Sequence, residues 1–386
     1  MSISKKVLPV IIISQFFCTS LWFAGNGVMD NLVSDFQLNE NALGHLTSSV
    51  QFGFIFGTLL FAFFTIVDRF SPSKVFLASA FLGALVNLGV IWEGNTLSTL
   101  LIFRFLTGFF LAGIYPVGMK IAADYYDKGL GKSLGFLVGA LVLGTALPHL
   151  LKDVTSEIPW KYVSISTSIL AITGGVIVYL FVPNGPYRKP SQKFDIKVFS
   201  KVFQNRSLRS AAFGYFGHMW ELYAFWTFTP IILSSYFNFH HQEDFNISLL
   251  SFLIIAVGFI SCSFGGILSQ KIGEKKVATI SLLLSGVCCL ALPFVFTVNS
   301  NLFFIVFLLF WGMMVIADSP MFSTLVAKNA NPEIKGTALT LVNSIGFAIT
   351  IVSIQLLTLL LAYNSIYIYM ILAMGPILGL LALRNM

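Results

Sequence analysis

The loop DRFSPSK, residues 68–74, separates two long apolar stretches, and a second basic loop, QKIGEKK at 270–276, separates another two. Other pairs match at nearly the same spacing: Leu21–Trp22 corresponds to Phe225–Trp226, and Tyr115–Pro116 corresponds to Ser319–Pro320. One matched dipeptide means little, but several at one spacing indicate a repeat. The sequence therefore predicts two similar halves.

The composition is that of an integral membrane protein. Of 386 residues, 56% are hydrophobic and 10% are charged, and the mean hydropathy is +0.86. A soluble core of this size would need a larger polar shell. The net charge of +7 does not indicate nucleic-acid binding, because the basic residues are scattered through short gaps between apolar segments. The cysteines lie in apolar helices without metal-ligand or disulfide spacing, so we interpret them as packing residues: Cys18, Cys262, Cys288 and Cys289.

Apolar runs long enough to cross a bilayer, roughly 20 residues each, occur twelve times. An all-α integral membrane protein with twelve transmembrane helices follows. Lys5 and Lys6 precede the first run, but no small-residue cleavage pattern follows them, so we expect a helix there and not a signal peptide. The predicted segments are 7–31, 43–67, 75–93, 98–123, 132–151, 162–182, 210–236, 248–269, 276–298, 301–327, 336–361 and 364–384.

The loop charges predict the orientation. If the N-terminus is cytoplasmic, the outer loops contain only Lys152 and Lys161, and the other loop Lys and Arg residues lie inside. We therefore expect both termini to be cytoplasmic and the protein to lie in the inner membrane. The predicted domains are 1–183, a basic linker at 184–208, and 209–386. Lys193, Lys197 and Lys201 have helical spacing, so the linker forms either a short helix on the anionic inner leaflet or a topology signal and tether.

At the loop 68–74 the chain resembles the major facilitator superfamily (MFS), whose signature there is Gly-x-x-x-Asp-Arg-x-Gly-Arg-Lys-Lys. Asp68, Arg69 and Lys74 match it, whereas Phe64 and Ser71 replace its glycines. The second copy keeps Gly266, Gly273, Lys275 and Lys276, with Gln270 and Lys271 in place of Asp-Arg.

Two further segments carry the likeness. The run from Arg104 to Gly108 is similar to the family's Arg-x-x-Gln-Gly pattern, and the run from Tyr115 to His149 resembles a bacterial branch. The stretch Gly135–Gly144 is Gly-rich like the antiporter signature but lacks its Gly-Pro pair, which weakens a drug/proton antiporter assignment. The resemblance implies two six-helix repeats (the MFS fold), alternating access to a central site, an inner-side loop that ties helices together, and a monomer.

Glu221 and His218 are the most distinctive polar residues of the seventh segment. Glu221 lies about 12 residues from its inner end, roughly 18 Å at 1.5 Å per residue, which is near mid-membrane. A carboxylate there needs water, a partner or a proton. His218 and Tyr215 share its helical face. We expect Glu221, assisted by His218, to couple proton movement to solute movement; a hydrogen bond that only packs helices is the alternative.

Arg104 is the other charge deep in a helix. Its guanidinium is suited to bidentate binding of an anionic solute or to pairing with an acid, and snorkelling to the outer surface is a third reading. Asp318, just before Pro320, lines a cavity or caps a kink. The pair Lys120 and Asp124, at i, i+4, is expected to join Asp68 and Arg69 in an inner-side gating network.

Aromatic side chains complete the predicted solute site, since rings stack on ring-containing or apolar solutes. The substrate-binding candidates are Arg104, Tyr115, Trp22, Trp226, Tyr215 and Asp318; packing and interfacial anchoring remain alternatives for the aromatic members. Trp220 is expected to face lipid or a neighbouring helix. The remaining histidines are expected to be solvated or interfacial near the outer surface: His45, His149, His240 and His241.

These features predict a secondary active transporter that moves a small organic solute by alternating access. No nucleotide-binding loop is present, so we expect a proton or other ion gradient to supply the energy, with no cofactor or metal. Proton-linked symport of an anionic or zwitterionic solute is slightly favoured, and proton-driven export of amphipathic compounds is the alternative. An intramembrane enzyme or receptor is a remote reading, because no nucleophile with a positioned base is evident.

Overall fold

The computed structural model describes residues 6–39, 41–126, 130–155, 157–188, 203–242, 245–331, 335–384 and 386, without the side chains of 130–132. Within these ranges the chain is helical and contains no strand. The α-helices, numbered in chain order from α1 to α18, are α1 Val7–Thr19, α2 Ala24–Gly27, α3 Met29–Asp35, α4 Ala42–Phe63, α5 Ile66–Arg69, α6 Pro72–Leu88, α7 Leu97–Leu111, α8 Tyr115–Tyr125, α9 Leu130–Val154, α10 Lys161–Phe181, α11 Arg206–Phe239, α12 Ile247–Ala256, α13 Gly258–Ile272, α14 Glu274–Phe296, α15 Asn301–Ala317, α16 Ser319–Asn329, α17 Lys335–Leu360 and α18 Met374–Arg384. Short 3-10 turns lie at Gly89–Ile91, Leu361–Tyr363 and Ile366–Ala373.

Ten helical segments among the described residues are long and apolar enough to span a membrane. They correspond to ten of the twelve predicted segments. The first predicted segment is broken, because α1 ends at Thr19 and only the short helices α2 and α3 follow. The seventh corresponds to α11, which at 34 residues is long enough to span a membrane but is less hydrophobic than the ten spans. The all-α membrane architecture is confirmed. The two exceptions, the first and the seventh predicted segments, occupy equivalent places in the two halves.

Two predicted spans are interrupted at matching places. The span 98–123 consists of α7 and α8, which begins at Tyr115 with Pro116 in its first turn; the span 301–327 consists of α15 and α16, which begins at Ser319 with Pro320 in its first turn. Proline suits the start of a helix, since its missing N–H would have no partner there. The repeated dipeptides therefore mark repeated helix breaks.

The two predicted halves pack against each other mainly through three helix pairs, α4 with α17, α9 with α12, and α9 with α13. Close approach depends on glycine: a Cβ at Gly44 of α4 would overlap Oγ1 of Thr358 on α17. Below, "inner" denotes the helix ends that carry the loops 68–74 and 270–276, and "outer" the opposite ends. The orientation and the domain limits remain predictions, and Lys193, Lys197 and Lys201 of the linker lie outside the described residues.

Candidate functional site

A narrow cavity lies between the two halves, in the inner part of the span. The volume of this cavity is about 30 Å³, so the helices must separate further before a solute can bind. Its lining is aromatic, apolar and neutral-polar, and several of its members remain partly exposed. The lining residues are Tyr115, Met119, Leu141, Tyr215, Met219, Leu222, Tyr223, Ile316, Ser319, Ser323, Asn343 and Phe347.

Stacked aromatic rings cover the outer end of this cavity. The ring of Trp22, from the first half, lies 5.7 Å from that of Tyr223 and 5.6 Å from that of Phe347, both from the second half. Phe54 contacts both Trp22 and Phe347, at 4.8 and 4.6 Å between ring centroids. Trp226 packs edge-on against Tyr223 at 5.2 Å. We call these five residues the aromatic plug.

The predicted aromatic candidates thus meet in one place: Tyr115 and Tyr215 line the cavity, while Trp22 and Trp226 lie above it. The indole N–H groups of Trp22 and Trp226 are buried and find no acceptor among the described residues. A buried N–H without a partner is costly, and a solute or water is the natural acceptor. Trp220 lies apart from them, with its N–H donating to the carbonyl of Ile371 at 3.1 Å.

Hydrogen bonds join the halves outside the plug. Gln355 of α17 donates to the carbonyl of Gly44 at 3.0 Å and to Oγ of Ser48 at 2.8 Å, both on α4. Across the molecule, the side chain of Asn246 donates to Asp153. The halves are therefore closed together on the outer side, and the cavity lies on the inner side of that closure.

Glu221 lies inside the second half and does not line the cavity. Trp311 Nε1 donates to its Oε1 at 2.6 Å, Ser285 Oγ donates to its Oε2 at 2.8 Å, and Cys289 Sγ donates to Oε1 at 3.3 Å. The carboxyl group is thus bound by donors from α14 and α15 and is 1% exposed. All three donors are neutral. The sequence did not single out Trp311, although it is the one indole within the apolar span 301–327.

His218 pairs with Asp318 and not with Glu221, which corrects the expected Glu221–His218 pair. Nδ1 of His218 lies 2.7 Å from Oδ1 of Asp318, and both side chains are fully buried. Three residues along a helix rotate a side chain by about 60°, enough for His218 to meet the α15–α16 break while Glu221 meets α14 and α15. Asp318 occupies that break directly before α16. Tyr215 and Ser319, which line the cavity, are the pair's close neighbours in sequence.

Arg104 points into the first half and is 1% exposed. Its guanidinium donates to the carbonyl of Leu21 at 3.1 Å, to the carbonyl of Trp22, and to Oδ1 of Asn87 at 3.5 Å. The last carbonyls of a helix lack partners, so Arg104 satisfies the backbone exposed where α1 ends. Neither the acid partner nor the snorkelling geometry considered for it is found among the described residues, and it does not line the cavity.

The inner-side charges form the expected network in part. Lys120 Nζ lies 3.2 Å from Asp68 and 3.7 Å from Asp124. Arg69 instead donates to Thr65 Oγ1 at 3.3 Å. Arg188 donates to the carbonyls of Val67, Asp68 and Phe70 and so holds the start of the loop 68–74.

The outer histidines divide into two kinds. His45 and His240 are half-buried and His241 is exposed, in line with the expectation. His149 is 3% exposed within α9, one position after Pro148, so it is buried in the protein and neither solvated nor interfacial as expected. The span 132–151 places it near the outer end, but its helix face packs inward.

Comparison with known proteins decides the family. The model of the family described as Major Facilitator Superfamily matches residues 11–354. The chain belongs to the Major Facilitator Superfamily. It is therefore a multi-pass membrane transporter and not an enzyme.

Two superfamily relatives are similar over most of their length. The niacin transporter NiaP of Acinetobacter baylyi is 25% identical over 315 residues, which are 68% of this chain and 69% of that protein. The class H tetracycline resistance protein of Pasteurella multocida is 26% identical over 346 residues, 83% of this chain and 81% of that protein. The family model establishes the superfamily, whereas relatives at these identities do not establish the solute.

Proposed function

We propose that this transporter moves a small, ring-bearing organic solute through the central cavity and couples that movement to protons at His218, Asp318 and Glu221. The observation that carries the proposal is the composition of the cavity wall, which combines the rings of Tyr115, Tyr215 and other aromatic residues with aliphatic and neutral polar side chains. The two compounds that appear in the relatives' names, niacin and tetracycline, are also small organic molecules. The energy source is an ion gradient, and no cofactor takes part.

The cavity wall favours a solute that does not need a formal charge. None of the described side chains that line it is charged at neutral pH. Aromatic walls bind ring faces, and a few hydroxyl and amide groups fix orientation. Trp22 and Trp226 in the plug supply two unused donors for an acceptor on the solute. This reading corresponds to the amphipathic-solute alternative.

An anionic or zwitterionic solute is the second candidate. The observation that favours it is the ring of His218, which lies 5.9 Å from that of Tyr215 in the cavity wall. Arg104 does not favour it, because its guanidinium would have to leave the carbonyls of Leu21 and Trp22. Those carbonyls would then lie without partners in a membrane interior, where each costs several kcal/mol.

The proton step is proposed at two buried sites that have different neighbours. His218 and Asp318 tie α11 to the start of α16, and Ser319 and Ser323 of α16 line the cavity. Gain or loss of a proton there alters the pair's attraction and the position of α16. Glu221 has only neutral donors around it, and a full charge in such surroundings costs free energy that a proton removes.

Proteoliposomes provide the test. A thermal-shift screen of metabolites and drugs first identifies a solute, and uptake is then measured with and without an imposed pH gradient. We expect Asp318→Asn and Glu221→Gln to retain exchange of labelled for unlabelled solute but to lose gradient-driven accumulation. Glu274→Gln, which removes a surface acid paired with Lys328 at 2.6 Å, is the matched control.

The sign of the gradient that drives accumulation separates symport from export by exchange. If solute uptake by both variants depended on the pH gradient as it does in wild type, the coupling proposal would be wrong. We further propose that the transporter lies in the inner membrane with both termini cytoplasmic, in accordance with the loop charges, and that it acts as a monomer.

A further inference from the structure

A second groove, which shares no lining residue with the central cavity, lies at the inner ends of α11 and α18. Its volume is about 440 Å³, and it is lined by Arg206, Arg209, Ser210, Phe213 and Ala382. The two helices touch deeper in the span, where a Cβ at Gly217 would overlap the carbonyl of Gly375. The groove is therefore a cleft that closes towards mid-membrane and opens at the inner surface.

The mouth of this cleft is cationic, and no acid among the described residues compensates its charge. Arg206 and Arg209 are three residues apart on one helix face, and both are exposed. Arg209 donates to the carbonyl of Phe203 at 3.2 Å. Among the described residues neither arginine lies within ion-pair distance of an acid, whereas Lys120, Lys152, Lys161 and Lys328 each do. Two adjacent guanidinium groups repel each other, and an anion between them removes that repulsion.

The floor of the cleft is apolar. Phe213 lies one turn deeper than Arg209 and is 48% exposed, and Ala382 opposite it is too small to cover its ring. A small soluble anion makes no favourable contact with such an apolar surface. A molecule with an anionic head and a hydrocarbon tail satisfies both parts of the cleft at once.

We propose that this cleft binds an anionic phospholipid of the inner leaflet, with the phosphate between Arg206 and Arg209 and an acyl chain along Phe213. Basic pockets between transmembrane helices on the cytoplasmic side hold such headgroups. The position also fits the predicted orientation, in which these helix ends face the cytoplasm. The site is independent of the solute cavity and of proton coupling.

Native mass spectrometry of the full-length protein, titrated with phosphatidylglycerol in neutral detergent, provides the test. Each arginine near a membrane surface contributes roughly fivefold to anionic lipid binding, so Arg206→Gln with Arg209→Gln should weaken the adduct about 25-fold. Ala382→Phe, which fills the cleft and keeps both charges, should weaken it as well. Lys328→Gln removes an inner cation that Glu274 already pairs and should leave binding unchanged.

Thermal melting in nanodiscs gives the second readout. Wild type should melt higher in phosphatidylglycerol than in phosphatidylcholine, and the double arginine variant should lose that difference while melting normally in phosphatidylcholine. Retention of the adduct and of the difference by the double variant would overturn the site. If inorganic phosphate displaced the lipid or reproduced the thermal shift, the cleft would be a free-anion site and the lipid assignment would be wrong.

Discussion

Two titratable residues only three positions apart on α11 have different partners. His218 faces an acid, Asp318, at 2.7 Å, and Glu221 faces three neutral donors. A nearby ionisable partner and nearby neutral hydrogen-bond donors have different effects on the charge state of a buried group. At the residue scale, a histidine–carboxyl pair beside the cavity is therefore distinct from a hydrogen-bonded carboxyl group inside the second half.

Replacement of Glu221 tests how far its hydrogen bonds stabilise the second half. In Glu221→Gln the amide oxygen still accepts from Trp311, and Ser285 can reverse its hydroxyl to accept from the amide. In Glu221→Ala the buried indole N–H has no acceptor, at a cost of about 1–3 kcal/mol. We expect the Ala variant to melt well below the Gln variant in detergent, as followed by tryptophan fluorescence. Equal melting temperatures would mean that these hydrogen bonds contribute nothing to stability.

Replacement of Arg104 separates a structural role from solute recognition. Lysine retains the charge but cannot donate in a fork to the carbonyls of both Leu21 and Trp22. If Arg104 mainly supports the end of α1, then Arg104→Lys should destabilise the protein by about 1–3 kcal/mol and leave the solute dissociation constant of the folded fraction unchanged. Calorimetric melting and solute titration measure the two effects. A weaker solute affinity with unchanged melting would indicate direct recognition instead.

At the scale of elements, the contact between α4 and α17 closes the outer side. Gly44 meets Thr358 there without space for a Cβ, and Gln355 donates to Gly44 and Ser48. Helix pairs in membranes approach closely through small residues and polar side chains. At this contact the closure therefore uses one glycine and one amide and includes no charge pair.

Gly44→Ala should force α4 and α17 apart and shift the protein towards the outward-open state. We expect a cysteine introduced at Phe54, buried in the plug, to react faster with an outside thiol reagent in this variant than in the parent, on the order of five- to tenfold for about 1 kcal/mol. Thr358→Ala removes most of the overlapping atoms and should restore slow labelling. If labelling stays slow in Gly44→Ala alone, the contact does not hold the outer side closed.

At the scale of the whole molecule, the sequence predicted the features that are encoded locally. Hydropathy placed the spans, and the dipeptides Tyr115–Pro116 and Ser319–Pro320 proved to mark repeated breaks. The end of α1 at Thr19 was missed, because the following residues SLWF contain neither Gly nor Pro, and Arg104, distant in sequence, supplies the hydrogen bonds. The partner of His218 was missed for a similar reason, since it depends on the rotation of α11 against α15 and α16.

The location of the cavity on the inner side of the plug leads to a prediction for the whole transporter. Asn343 lines the cavity and is partly exposed, and the four native cysteines are buried, so a cysteine at position 343 should give the main signal over a low background. We expect Asn343→Cys to react with a membrane-impermeant maleimide in inside-out vesicles and to be protected in right-side-out vesicles. Val154→Cys, at a position 73% exposed at the outer end of α9, should show the reverse pattern and serves as the orientation control.

Adding Gln355→Leu to Asn343→Cys removes the hydrogen bonds to α4, so labelling from outside should then appear. Equal labelling of Asn343→Cys from both sides without that change would contradict an outer closure at the plug and at the α4–α17 contact, and labelling of Val154→Cys from inside would reverse the predicted orientation.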